Sequence, residues 1–541
     1  MDRINRFLVL AAFLMFFILM TCFNGYSTDD AYISYRYAQN LADGNGLVFN
    51  PQQAPVEGYT NFLWTVILSG AAAVLLPLPE TASFLSGVFA VALLLLMVLW
   101  AHRQREFRKD YLPAIPVMIL AASPSLALWS TAGMETVFFT FLLVLGTVFL
   151  TIEERQEWIG IMSGLTFALA ALTRPEGLLL GGLIIAVSFL ESSEWGTRFI
   201  AFIIRMIVFL LPPVLHILWR RSYYGQWLPN TFYAKTTSGS ELIQHGLGYL
   251  GSFAVQGGLI LFILIALGLL VRPRIDGLWT ILVTTIVYSA YVVWIGGDWM
   301  PAHRMFLPIL PFLAMGAGAF IIKSMDVSPR FAATFASCVV IYMLVAGITA
   351  QAPFMAHSLF AQKVLGDEPP VDVLKELGLH LREVSTADET VAVIPAGKVP
   401  YFSGLRAIDM RGLCDAHIAH QPVAVEQNHQ IVGHLKRDPE YVLSKKPDFI
   451  VLTGARLKKD AIKPGMLTPE NAPVMDKWTI TQMPEFKRNY KEVVVPLPRG
   501  SKELVYYKRL MEPKPDLLMP SNPVDPEPPA TTAGEASPRT L

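Results

Sequence analysis

Long apolar runs dominate the first 350 residues, at roughly 7–23, 61–77, 81–100, 111–128, 135–151, 158–173, 177–190, 199–219, 247–271, 277–295, 305–322 and 331–350. A helix that crosses a bilayer needs about 20 apolar residues, and about 17 are tolerated. The pattern therefore predicts a polytopic α-helical membrane domain over residues 1–350. Beyond 351 the pattern changes. Polar helical stretches alternate with short apolar runs. T-V-A-V-I-P (390–395), D-F-I-V-L (448–452), E-V-V-V-P (492–496) and E-L-V-Y-Y (503–507) read as strands of a small α/β domain over 351–511. The stretch 512–541 is Pro-rich, the composition of a disordered tail.

Composition agrees with the membrane reading. The chain is 53% hydrophobic and 16% charged, where a soluble domain carries about a quarter charged residues. Formal net charge is zero, which excludes the basic footprint of a nucleic-acid partner. Three cysteines supply neither a disulfide framework nor a zinc spacing. The first apolar run follows M-D-R-I-N-R and has no small-x-small cleavage site after it, so it reads as an uncleaved first span.

Basic residues orient the spans. They concentrate in 1–6, 102–110, 152–157, 191–198, 272–276 and 323–330. These segments fall on one side, the inner one, only if 61–77 does not cross. That run is short, opens on Asn61 and ends in L-P-L-P. It reads as an interfacial helix under a first external loop, 24–80. The count becomes about eleven spans, with the N-terminus inside and the C-terminal domain outside.

The polar chemistry gathers at the outer rim. Asp29 and Asp30 open A-Y-I-S-Y-R-Y-A. Two acids there suit a helix N-terminus, as cap and first-turn residue. They also suit catalysis, one as a base and the other as its partner. Glu57, Tyr59 and Asn61 lie in V-E-G-Y-T-N-F, where Glu57 could equally cap the next helix. Glu135 opens a span. Arg174 and Glu176 flank Pro175, either as a local ion pair or with Arg174 on a phosphate. G-G-D-W-M-P-A-H-R-M gathers Asp298, His303 and Arg304, a candidate anionic head-group site. Lys235 ends L-P-N-T-F-Y-A-K, beside Tyr233. Arg220 and Arg221 fit anchoring to anionic lipid better than phosphate recognition.

S-T-D-D-A-Y-I-S-Y-R-Y-A-x-N-L-x-x-G-x-G-L-V-F-N-P followed by V-E-G-Y-T-N-F-L-W resembles the signature of the GT-C glycosyltransferases that use polyprenyl-phosphate sugars. The chain is similar in particular to the terminal β-(1→2) arabinofuranosyltransferase family. The match continues through T-x-G-M-E-T, L-T-R-P-E-G, Y-Y-G-x-x-L-P-N-T-F-Y-A-K, G-G-D-W-M-x-x-H-R and P-Y-F-S-G-L-R-A-I-D-M-R-G-L-C-D-A-H-I-A-H, over roughly 24–454. The resemblance implies a GT-C membrane core with an extracytoplasmic active site, the acid pair of the first loop at Asp29 and Asp30, and a soluble C-terminal domain. It implies a bacterial inner-membrane enzyme that moves a sugar, arabinofuranose above all, from a polyprenyl-phosphate donor to a hydroxyl of a cell-envelope glycan or glycoprotein. One Asp would act as base in an inverting displacement. Arg304, His303, Lys235 and Arg174 are the candidates for the donor phosphate. Glu57, Tyr59, Asn61, Tyr233 and Asp298 are the candidates for acceptor and sugar. A divalent cation, Mg²⁺ or Mn²⁺, on Asp29 and Asp30 is compatible with the pair but not required. A hexosyl- or protein-directed GT-C transferase is the alternative. A lipid-linked sugar transporter fits less well, because the predicted spans lack mid-span carboxylates.

Overall fold

The computed structural model describes residues 3–104, 114–156, 160–192, 195–235, 240–271, 277–325, 327–355, 372–422, 436–457, 477–497 and 502–510. The Pro-rich stretch 512–541 and most of the basic segments 102–110 and 272–276 lie outside the described residues.

Among the described residues, seven helices are long and apolar enough to cross a membrane: Arg3–Cys22, Leu78–Arg103, Thr136–Glu154, Arg198–Tyr224, Glu241–Gly268, Arg304–Met325 and Pro329–Met355. Arg304–Met325 has 94% of its apolar window inside the protein, against 17% for Arg198–Tyr224. The first is therefore central to the bundle and the second is at its rim. Other apolar runs form shorter helices, Ile161–Thr173, Glu176–Glu191 and Leu278–Trp294. Thirteen residues span only about 20 Å, and the hydrocarbon core is about 30 Å thick. The run 111–128 is broken at Ser123-Pro124 into Ala114–Ala121 and Pro124–Trp129, since proline cannot continue the preceding helix. These three short helices and the broken run 111–128 account for the gap between seven and the larger number read from the sequence. The helix Phe62–Ala73 has 12 residues. It turns through Leu75, at φ 60, into Leu78–Arg103.

The C-terminal domain carries a five-stranded sheet: β1 Thr390–Val393, β2 Arg406–Asp409, β3 Phe449–Leu457, β4 Tyr490–Pro496 and β5 Lys502–Arg509, in the order β2-β1-β3-β5-β4. β1 is parallel to β2 and β3, while β5 is antiparallel to β3 and β4. The four stretches read as strands are β1, β3, β4 and β5. β2 is the addition, four residues at the sheet edge, too short to show a period.

This domain and the first loop share one apolar core. Ile33, Tyr37, Leu47, Phe49 and Tyr59 pack with Leu377, Val391, Val399, Leu405 and Phe449. Polar bonds reinforce the seam. Asn50 pairs with the backbone of Ala407 through both ends of its amide, at 2.8 and 3.0 Å. Asn230 donates to the carbonyls of Gly412 and Leu413 at 2.8 and 3.0 Å. The first loop and the C-terminal domain therefore lie on the same side of the bundle.

Candidate active site

Thr28 is the N-cap of helix Asp29–Ala42, so both acids stand in its first turn. The cap is one residue earlier than the sequence reading placed it. Acids there complement the helix dipole. Successive side chains on a helix point about 100° apart, so the two carboxylates face different surroundings.

Asp29 faces the C-terminal domain. Its Oδ2 accepts from the Gly397 N–H at 2.8 Å and its Oδ1 from the Lys398 N–H at 2.7 Å. Burial pushes its carboxyl up to about 6, against the pull of those two donors and with a further rise from the charge of Asp30.

Asp30 lies within electrostatic reach of Lys235, Arg304, Asp298 and Glu135. Among the described residues no hydrogen bond to its carboxylate is seen, and it is partly open to solvent. Burial raises its carboxyl above the ordinary range, while the charges of Lys235 and Arg304 pull it down and those of Asp298 and Glu135 push it further up. Lys235 sits exposed at the end of helix Asn230–Lys235. Arg304 donates from Nε to Asp298 Oδ2 at 2.7 Å and lies over the Trp129 ring at 5.7 Å. Asp298 also accepts from the Met300 N–H at 3.3 Å. Burial alone would raise its carboxyl, but Arg304 and Lys235 hold it below the ordinary range. Asp30, Lys235, Arg304 and Asp298 thus form one electrostatic cluster drawn from three separate loops.

The other candidates are engaged elsewhere. His303 sits in a left-handed conformation, φ 48 and ψ 51, directly after Ala302 at φ 56. Two such residues in succession are strained, and the twist separates His303 from Arg304. The His303 ring packs on Tyr249 and Phe253, with Nε2 at 3.0 Å from Ser252 Oγ. Burial lowers its pKa to about 4. That disfavours the charged form that the sequence reading brought to a phosphate.

Arg174 is likewise spent inside the protein. It donates to Glu135 Oε1 at 2.8 Å and to Glu176 Oε1 at 3.0 Å. Asn61 donates to Glu135 Oε2 at 2.8 Å and bonds Ser34. Glu57 takes Arg220 in a two-point pair at 2.6 and 3.0 Å. This pair replaces both the lipid-anchor reading of Arg220 and the capping reading of Glu57. Tyr59 is buried with its hydroxyl 3.1 Å from that of Tyr224. Glu57, Tyr59 and Asn61 are buried and brace the first loop. Tyr233 stacks on His420 at 4.6 Å and packs against the core shared by the first loop and the C-terminal domain.

The acid pair does not fit a metal ion. Both oxygens of Asp29 are taken by backbone N–H donors, and Asp30 faces cations. Among the described residues, no group of three or more His, Cys, Asp or Glu side chains could hold one.

Sequence reasoning missed Gly397 and Lys398, 368 and 369 residues from their partner. It also passed over Arg36, which donates to the carbonyls of Phe49 at 2.7 Å, Leu405 at 2.8 Å and Pro400. The available signal was A-G-K-V-P directly after a strand, a turn whose glycine admits close backbone approach.

A family model described as a domain of unknown function (DUF8728) matches residues 366–507. Two relatives are named terminal β-(1→2)-arabinofuranosyltransferases. That of Corynebacterium glutamicum is 27% identical over 332 residues, covering 53% of this chain and 47% of the relative. That of Mycobacterium tuberculosis is 30% identical over 239 residues, covering 42% and 37%. The matched region spans less than half the length of either relative. Among solved structures, ArnT from Cupriavidus metallidurans bound to undecaprenyl phosphate aligns with a TM-score of 0.58 at 13% identity, over 93% of this chain and 97% of ArnT. The oligosaccharyltransferase of Archaeoglobus fulgidus in its apo form aligns with a TM-score of 0.50 at 10% identity, over 75% and 64%. At these identities the structural likeness speaks to fold alone. The chain has the GT-C membrane fold with a C-terminal α/β domain, and its sequence is similar to the terminal β-(1→2)-arabinofuranosyltransferases.

Proposed function

We propose that the chain is a membrane glycosyltransferase that moves a sugar from a polyprenyl-phosphate donor to an acceptor hydroxyl, with Asp30 as the base. The observation that carries this reading is that Asp30, whose carboxylate takes no hydrogen bond among the described residues, lies within electrostatic reach of Lys235 and Arg304. A carboxylate without a hydrogen-bonded partner, set beside two cations, matches a reaction that takes a proton at one point and releases a phosphate at another. Arabinofuranose is the sugar the named relatives favour. The lipid-phosphate donor is supported by the undecaprenyl phosphate bound to ArnT, which shares the fold. The charge pattern of the loops supports the outer face as the place of reaction, and the bacterial relatives support a bacterial inner membrane with a cell-envelope glycan or glycoprotein as acceptor.

In the step itself, the acceptor oxygen forms its bond to the anomeric carbon as its proton passes to Asp30. The bond from that carbon to the phosphate oxygen breaks, and polyprenyl phosphate leaves with both electrons. Lys235 and Arg304 stabilise the charge that develops on it. Asp298 fixes the Arg304 guanidinium in place.

The test is transfer of radiolabelled arabinofuranose from its polyprenyl phosphate to an arabinan acceptor by purified chain in lipid. Transfer by wild type and its loss in Asp30→Asn are expected. Transfer from a hexosyl donor alone would replace the sugar assignment with the alternative one. Inversion at the anomeric carbon is expected for a single displacement, and retention would overturn the single-displacement step.

A further inference from the structure

The turn between β1 and the helix Lys398–Ser403 approaches Asp29 more closely than any side chain allows. A Cβ on Gly397 would lie 1.8 Å from the Asp29 carbonyl oxygen and 2.9 Å from its Cγ. Gly397 has φ −94, so glycine is needed here for space and not for a left-handed backbone. Its N–H and that of Lys398 grip the two carboxylate oxygens separately, which fixes the plane of the group as well as its place.

The grip extends along one face of the helix. Tyr32, three residues on, lies 5.3 Å beneath Lys398 Nζ. Arg36, seven residues on, bonds the carbonyls of Pro400 and Leu405. Lys398 Nζ also bonds Asp372 Oδ2 at 2.7 Å and the Ser27 carbonyl at 3.4 Å, just ahead of the helix. A different face carries Asp30 and, four residues on, Ser34, which bonds Asn61 in the membrane-side network. One face thus belongs to the C-terminal domain and the other to the reaction.

We propose that the C-terminal domain completes the active site: its Gly397–Lys398 turn holds Asp29 and so aims Asp30, which makes Gly397 and Lys398 positioning residues and docking of the domain a condition of turnover. This rests on the reading of Asp30 as base. The domain then sets the rate of the chemical step without touching the donor.

The experiment uses the full chain in lipid, with Gly397→Ala and Asp30→Asn side by side. Hydrogen exchange over residues 29–42, turnover and donor KM are read together. In Gly397→Ala, kcat is expected to fall on the order of a hundredfold, the cost of a catalytic group displaced by about 1 Å. Donor KM should stay within about twofold, because the phosphate contacts are untouched. Exchange in the first helical turn should rise, while the thermal transition of the membrane core stays unchanged. Wild-type turnover in Gly397→Ala beside an inactive Asp30→Asn would overturn the positioning role and leave the base reading intact. Full activity in Asp30→Asn would overturn the base reading itself. If Gly397→Ala does not fold, Lys398→Pro deletes one of the two donors at a first helical position, where proline is tolerated. The same split between kcat and KM is then expected, and a parallel rise in KM would overturn the proposal.

Discussion

Asp29 and Asp30 are adjacent in the chain and opposite in their company. The first gives both oxygens to backbone N–H groups of the C-terminal domain. The second lies in the electrostatic field of Lys235 and Arg304. The repulsion between them is offset because each carboxylate has its own source of positive potential. A helix that starts between two domains can use adjacent acids this way, one to fasten and one to react.

Asparagine substitutions should separate the two roles. Asp30→Asn keeps shape and loses the base, so transfer should fall by about 10²–10⁴-fold with donor binding retained. Asp29→Asn replaces one acceptor oxygen with an NH₂ group that cannot take an N–H bond. It should leave measurable transfer but loosen residues 29–42 in hydrogen exchange. Donor binding measured beside turnover checks both. Equal loss in the two variants with unchanged exchange would contradict the division of labour.

The pH profile carries a sign. Burial sets the Asp30 carboxyl above its ordinary 3.8, with Lys235 and Arg304 pulling against that rise. The base must be ionised to act, so kcat/KM should fall with acid at a pH above 3.8. Removing a nearby positive charge raises a carboxyl further. The acid limb of Lys235→Met should therefore move to higher pH. A limb that stays in place, or moves down, would separate Lys235 from the base. His303 contributes no step near neutrality, since burial holds its pKa at about 4.

The apolar runs and four of the five strands were legible because each repeats one signal over enough residues to be counted. The site was legible only in part. D-D and G-G-D-W-M-P-A-H-R stand out as dense local chemistry, and two of their residues, Asp30 and Arg304, come within electrostatic reach of each other in the structure. Roles inside each motif were not legible, since a sequence gives no direction to a side chain. Asp29 and Asp30 differ only by a rotation about the helix axis. His303 and Arg304 differ by a left-handed twist between neighbours. Pairings were hidden by distance. The local partner Glu176 of Arg174 could be read from T-R-P-E-G, but Glu135 lies 39 residues away and the Glu57–Arg220 pair is 163 residues apart.

Lys235→Met should be a catalytic variant with little effect on stability. The side chain is exposed, and among the described residues no ion pair holds it. In the proposed mechanism its loss removes one of the two charges that stabilise the leaving phosphate. Transfer should fall by about 10²-fold, within the range for loss of one preorganised electrostatic contact. The thermal transition should match wild type. Lys235→Arg should recover part of the activity, because charge is kept while geometry changes. Wild-type transfer in Lys235→Met would leave Arg304 alone as the phosphate partner.

Arg174→Met should instead be a stability variant. The guanidinium joins Glu135 and Glu176, whose side chains are only 3% and 9% exposed. Removing it strands two carboxylates that were buried as partners of one cation. Breaking a buried pair from one side costs about 3–5 kcal/mol, and here two acids lose their partner together. Glu135 also orients Asn61, which holds Ser34 on helix Asp29–Ala42. The loss should therefore appear as a lower thermal transition and poor extraction in a folded state. Glu135→Gln combined with Arg174→Met leaves one fewer charge unpaired and should recover part of that stability. If Arg174→Met keeps its thermal transition while donor KM rises about tenfold or more, Arg174 binds the donor phosphate after all and the buried network is not its main role.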